Sequence, residues 1–254
     1  MKNKNALIIG IRNEESVCTA IAEEIKRAGY SIYATYQGES TLESVKQVAD
    51  NLGIKKLFKY DARKDEDLEH LAGAIKKEGL MLDILVHGIS YSTARGARLN
   101  LPLIEVSWEE FTDAIRVGAF SLVELSGRLL DCFKEEASIL ALTLRWSKVA
   151  VPNMNVVGSA KAGLESMIRG LAQSLGKAKR IKVNGISPGY VHTYSLSKIG
   201  NSLEILERAK LRSPLKTNVD KEDIASLAVS ILENTSITGM IYTIDTGDEI
   251  MGVL

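Results

Sequence analysis

Lys161 lies among small neighbours, Gly158, Ser159, Ala160, Ala162 and Gly163, in a stretch that opens Pro152-Asn153-Met154-Asn155. Apolar residues Val157, Ala160, Leu164, Met167, Ile168, Leu171 and Leu175 recur there at helical spacing, which predicts a helix with one stripe seated on a core. Met154 and Lys161 are nearly two helical turns apart, so both side chains point the same way. An isolated helix lysine is ordinarily solvated. Small residues around this one give a large ligand room to approach its charge. The other stretch with chemical content is Gly10-Ile11-Arg12-Asn13-Glu14-Glu15-Ser16-Val17. A glycine directly after a strand lets the backbone approach a pyrophosphate, which the free amides and dipole of the following helix stabilise. This is not a three-glycine fingerprint, and on its own the signal is weak.

Both stretches need elements to hold them, and the rest of the chain supplies an alternating series. Short apolar runs predict strands at 6–9, 31–36, 56–60, 83–87, 138–144, 181–186 and 240–244. Amphipathic runs predict helices at 16–28, 41–52, 66–77, 108–133 and 221–232, besides the one carrying Lys161. Such alternation implies a parallel sheet covered on both faces with right-handed crossovers. The expected fold is α/β, a single Rossmann-type doubly wound domain of about seven strands over residues 1–254. Two stretches after strand ends break the pattern, 90–103 and 188–215. The second carries Tyr190, His192, Tyr194 and Lys198 and a helical piece at 203–210, and residues 190–215 are expected to form a lid over a substrate.

Composition narrows the partners. The 254 residues include 32 basic and 32 acidic side chains, so no global field attracts nucleic acid or an anionic membrane, and neither partner is expected. Cys18 and Cys132 are too few for a disulfide framework or a cysteine-based zinc site, and they read as buried thiols in a reducing compartment. His70 and His87 are isolated and offer no metal-ligand spacing; no metal is expected. With no leader-like or membrane-length apolar run, the expected location is the cytoplasm.

Read in order, these pieces resemble the short-chain dehydrogenase/reductase family, and within it the enoyl-acyl carrier protein reductases of bacterial fatty acid synthesis. Ser16-Val17 stands where those reductases have Ser-Ile, and Thr35-Tyr36-Gln37 where they have the adenosine-ribose loop. Asp61-Ala62 resembles their adenine-binding Asp-Val, and Val86-His87-Gly88-Ile89 their Val-His-Ser-Ile. Residues 152–161 follow Pro-Asn-Tyr-Asn-Val-Met-Gly-x-Ala-Lys, and 183–189 with Val191-His192-Thr193-Tyr194-Ser195 resemble the segment that wraps the nicotinamide. The resemblance runs from Ala6 to Ile250. It implies a cofactor site at Gly10, Ser16, Val17, Gln37, Asp61, Ala62, Gly88, Ile89, Lys161, Val191, His192, Thr193, Tyr194 and Ser195, with Lys161 on the nicotinamide ribose hydroxyls. It also implies a homotetramer built on the two long helices. A 2'-phosphate usually needs a cation beside the second strand end. Gln37-Gly38-Glu39-Ser40 supplies none, so NADH is expected over NADPH, with Arg12 the one residue that keeps NADPH open.

The pattern fails where the acid should be. Met154 occupies the position of the family's proton-donating tyrosine, and a thioether has no proton to give. Trp146 falls where enoyl reductases have a second active-site tyrosine, and Arg145 replaces a small residue just before it. Tyr91, Tyr190, His192, Tyr194 and Arg145 are the alternative donors. Three readings stay open. The first is an enoyl reductase acting on a 2-enoyl thioester, with acyl carrier protein as a possible partner. The second is a reductase of another carbonyl metabolite, with Arg145 gripping a carboxylate. The third is a nucleotide-binding relative without activity.

Overall fold

The computed structural model describes residues 4–90, 102–151, 155–197 and 201–251. Strand β1 (Asn5–Ile9) is buried on both faces, as its unbroken apolar run requires. Leu7 and Ile9 enter one apolar layer, whereas Ala6 and Ile8 enter the other, because successive strand side chains point to opposite faces. Six further strands complete one sheet: β2 (Ser31–Tyr36), β3 (Lys56–Lys59), β4 (Leu82–His87), β5 (Phe133–Leu142), β6 (Lys182–Pro188) and β7 (Ile241–Ile244). Their order is β3-β2-β1-β4-β5-β6-β7, and every pairing is parallel. The chain therefore changes direction across the sheet between β1 and β4, where the register sets Ile9 opposite His87. Ligands of open α/β sheets bind beyond the strand ends at such a switch point.

Helices cover both faces. α1 (Val17–Arg27), α2 (Glu39–Leu52) and α9 (Lys221–Glu233) close one layer through Ile21, Ile25, Val45, Ile224 and Ile231. α3 (Asp65–Lys77), α5 (Ser121–Arg128) and α6 (Asn155–Lys179) close the other through Leu71, Ile75, Leu122, Leu125, Leu164 and Ile168. Each such side chain, once buried, stabilises the fold by about 1.5–3 kcal/mol before the entropy of ordering is counted. Short helices α7 (Tyr194–Ser197) and α8 (Ser202–Arg212) follow β6. Among the described residues no helix is long and apolar enough to cross a membrane.

One predicted element differs. The helix expected over 108–133 is α4 (Trp108–Ile115), a π-helical segment (Arg116–Phe120) and α5, after which Leu130–Cys132 form a 3-10 turn. A capping box starts α4: the Glu110 amide donates to Ser107 Oγ at 3.2 Å, and the Ser107 amide to Glu110 Oε2 at 2.9 Å. Helical periodicity persists to Phe133, but Phe133 pairs with Leu82 and is fully buried, so strand pairing overrides local preference. β5 consequently starts five residues before the predicted 138, and a register shift between Leu82 and Ile84 absorbs Glu136, whose φ is 63°.

Candidate active site

Backbone contact at the switch point leaves no room for side chains. Gly10 has φ +119°, and a Cβ there would lie 2.5 Å from the Gly88 carbonyl oxygen. A Cβ on Gly88 would lie 2.1 Å from Cys18 Sγ. Glycine is thus required at position 10, whereas a side chain at position 88 would have to displace Cys18, and the cradle that Cβ atoms would fill lies open at the carboxyl ends of β1 and β4. Beyond Gly10, Ser16 caps α1 and organises the turn, its Oγ accepting from the Arg12 and Asn13 amides at 3.2 and 3.1 Å. Val17 opens the helix, so the turn delivers a helix N-terminus to the cradle. Cys18, which carries no sequence signal for this place, packs beneath it; burial pushes its thiol up to about 12 despite the opposing charge of Lys161.

Gln37 follows β2, and its side chain lies near enough to the Asp61 carboxylate to help lower its pKa. Burial raises Asp61, but Arg63 outweighs it, donating from Nε at 3.0 Å and Nη2 at 2.6 Å to hold the carboxyl below its ordinary value. Ala62 is buried next to it. Arg63 was legible in the sequence two residues past Asp61 and belongs among the charges that bear on cofactor choice.

Lys161 is not the solvated side chain that an isolated helix lysine ordinarily presents. It is 2 % exposed, and its ammonium donates to the carbonyls of Ile89 and Leu142 at 3.0 Å and of Gly118 at 3.5 Å. These carbonyls belong to the ends of β4 and β5 and to the π segment, so the lysine joins three elements behind the switch point. Burial lowers its pKa to about 8, with Cys18 and Glu165 pulling the other way. His87 lies alongside, and burial followed by the charge of Lys161 lowers it to about 3, so the ring is neutral at physiological pH. Ser121 Oγ donates to the Val117 carbonyl, which leaves His87 Nε2 as the donor in its 2.8 Å contact with that oxygen.

The turn after β5 carries Arg145 and Trp146. Gly158 of α6 packs against it so closely that a Cβ would lie 2.6 Å from the Trp146 carbonyl oxygen. Glu165 fixes the turn from below, accepting from Thr143 Oγ1 at 2.8 Å and Ser147 Oγ at 2.6 Å. Arg145 does not face a ligand as the carboxylate-gripping reading expects: it forms an ion pair with Asp248, which Arg212 of α8 also grips through two nitrogens. The pairing of Asp248 with Arg145 and Arg212 has no signal in the sequence, since only the fold brings 145, 212 and 248 together. Trp146 meets Tyr190, with ring centroids 6.4 Å apart and indole Nε1 donating to the phenol oxygen at 3.5 Å.

Past β6, Val191 is buried, His192 is exposed, and Thr193 caps α7 by accepting from the Leu196 amide at 3.2 Å. The Tyr194 ring lies 4.8 Å from the Arg12 guanidinium, which brings the segment after β6 onto the first turn. Met154, Tyr91 and Lys198 lie outside the described residues, as does the side chain of Ser195.

A doubly wound parallel sheet with a glycine turn after its first strand is the architecture of a dinucleotide-binding domain. Residues 10–248 match the family model described as enoyl-(acyl carrier protein) reductase. The chain belongs to that family. It is 33 % identical over 254 residues to the enoyl-[acyl-carrier-protein] reductase [NADH] FabI of Rickettsia felis, covering 99 % of this chain and 96 % of that protein. The crystal structure of the NADH enoyl-[acyl-carrier-protein] reductase of Aquifex aeolicus superposes with a TM-score of 0.91 at 31 % identity, covering 99 % of this chain and 98 % of the other. The Bacillus cereus enoyl-acyl carrier protein reductase, solved with NADP+ and an indole naphthyridinone, gives 0.93 at 30 % identity over 98 % of each chain.

Proposed function

We propose that this chain reduces the 2,3 double bond of an enoyl thioester with NADH as reductant. The observation that carries the reading is the Gly10–Gly88 cradle with Lys161 joined to the adjacent strand ends, in a chain that belongs to the enoyl reductase family over nearly all its length. Bound NADH would supply the hydride. Gly10, Ser16 and Val17 would hold its pyrophosphate, Gln37, Asp61 and Ala62 its adenosine, and Ile89 and 191–195 its nicotinamide half. Lys161 would exchange one of its carbonyl partners for a ribose hydroxyl. NADH is preferred because Arg63 is already committed to Asp61, and the Rickettsia relative is named for NADH. The name of that relative also makes acyl carrier protein the thioester's carrier in this reading.

Residues 190–215 would act as the lid, and assembly would be a homotetramer, a reading supported by the exposure of Trp108 and Phe120 along α4 and the π segment. Conjugate reduction suits a site without a phenol at 154, because electron density driven onto the thioester oxygen can be met by other donors. The test is isotopic: NADH deuterated on its transferable position, incubated with the protein and a 2-enoyl thioester, should give saturated product carrying deuterium at carbon 3. Unlabelled or unreduced thioester would refute the reading.

A further inference from the structure

We propose that Tyr190 is the catalytic acid of this site, its phenol donating first a hydrogen bond and then its proton to the thioester oxygen. The assignment rests on the reductase reading above and adds to it the group that Met154 cannot be.

The geometry selects this tyrosine. It lies just past β6 and faces the Trp146 turn at the end of β5, so it stands at adjacent strand ends on the ligand side of the sheet. Indole nitrogen can only donate, so in the 3.5 Å contact the Tyr190 oxygen is the acceptor and keeps its own proton. Among the described residues nothing takes that proton. Trp146 thus orients the ring while leaving the O–H free for a ligand, as a positioned donor requires.

The other described candidates are committed elsewhere. Arg145 is bound to Asp248, Tyr194 lies against Arg12 at the first turn, and His192 is exposed. His87 is buried, neutral and turned to Ser121. The guanidinium of Arg212, held on Asp248, is near enough to Tyr190 for the two to interact. A guanidinium in that position favours an oxygen that gains negative charge.

The step balances. Hydride addition at carbon 3 sends the electron pair of the double bond onto the thioester oxygen. As that charge forms, the Tyr190 O–H bond breaks and an O–H bond forms on the substrate, giving an enol that tautomerises to the saturated thioester. The phenolate recovers a proton from water, so one hydride and one proton are consumed per turnover.

Tyr190→Phe keeps the ring and its packing on Trp146 while removing the proton. We expect kcat for 2-enoyl thioester reduction to fall about 100-fold, with the NADH dissociation constant, read by fluorescence titration, unchanged. In a second variant, 3,5-difluorotyrosine at position 190 makes the hydroxyl more acidic at nearly constant size, and the alkaline limb of the kcat/KM pH profile should move to lower pH. A role confined to packing would not move that limb. A Tyr190→Phe protein that binds NADH and turns over at the wild-type rate would overturn the assignment, as would an unmoved alkaline limb in the fluorinated protein. Wild-type protein that binds NADH but reduces no enoyl thioester would instead overturn the reductase reading, and this assignment with it.

Discussion

Buried groups packed around Gly88 set the chemistry of the cradle residue by residue. A methyl group on Gly88 meets Cys18 Sγ at 2.1 Å, so Gly88→Ala should destabilise the fold by about 1–3 kcal/mol through overpacking. Urea denaturation of Gly88→Ala, Cys18→Ala and the double variant should show positive coupling, because removing the sulfur makes room for the methyl. Lys161 gives a pH signature. Its pKa falls from 10.5 to about 8 on folding, so between those values the unfolded chain binds more protons than the folded one. Stability should therefore rise with pH across that window, and the burial penalty is fully present below about 8. Comparison with Lys161→Met by thermal denaturation should show this rise in the wild type alone. Cys18, a fully protonated buried thiol, should resist iodoacetamide in the native protein and react once it is unfolded.

The elements that carry these residues are joined by a few buried polar contacts, and Asp248 is the one most exposed to test. Its side chain is 4 % exposed and binds guanidiniums from the β5–α6 turn and from α8. Asp248→Ala removes the carboxylate that both guanidiniums grip; because Arg212 is partly solvated, the expected cost is about 2–3 kcal/mol. Limited trypsinolysis should then cut at Arg212 or Lys216 sooner than in the wild type, since α8 loses its attachment. The strands and most helices were legible in the sequence because their apolar periods are regular. What misled it was local: the run from Trp108 to Phe133 keeps helical spacing through a π segment and into a strand whose start is fixed only by Phe133 pairing with Leu82. The glycine turn and Lys161 were likewise readable from neighbouring residues. The Asp248 cluster and the Trp146–Tyr190 pair were not, because their members are far apart in sequence and the fold alone brings them together.

For the whole molecule, the sheet order places the cradle, the buried lysine and the rebuilt β5 turn along one edge of strand ends, and the segment after β6 reaches back to the first turn through Tyr194 and Arg12. That arrangement is the framework of the enoyl reductase family. The proposed activity is conjugate reduction on that framework, with Met154 at the position that the resemblance gives to the tyrosine. It is tested most directly by following NADH oxidation by the purified protein with a short 2-enoyl thioester, against controls lacking thioester or protein. Turnover is expected only when all three are present, faster with NADH than with NADPH. Protein that binds NADH yet oxidises none of it in the presence of the thioester would contradict it.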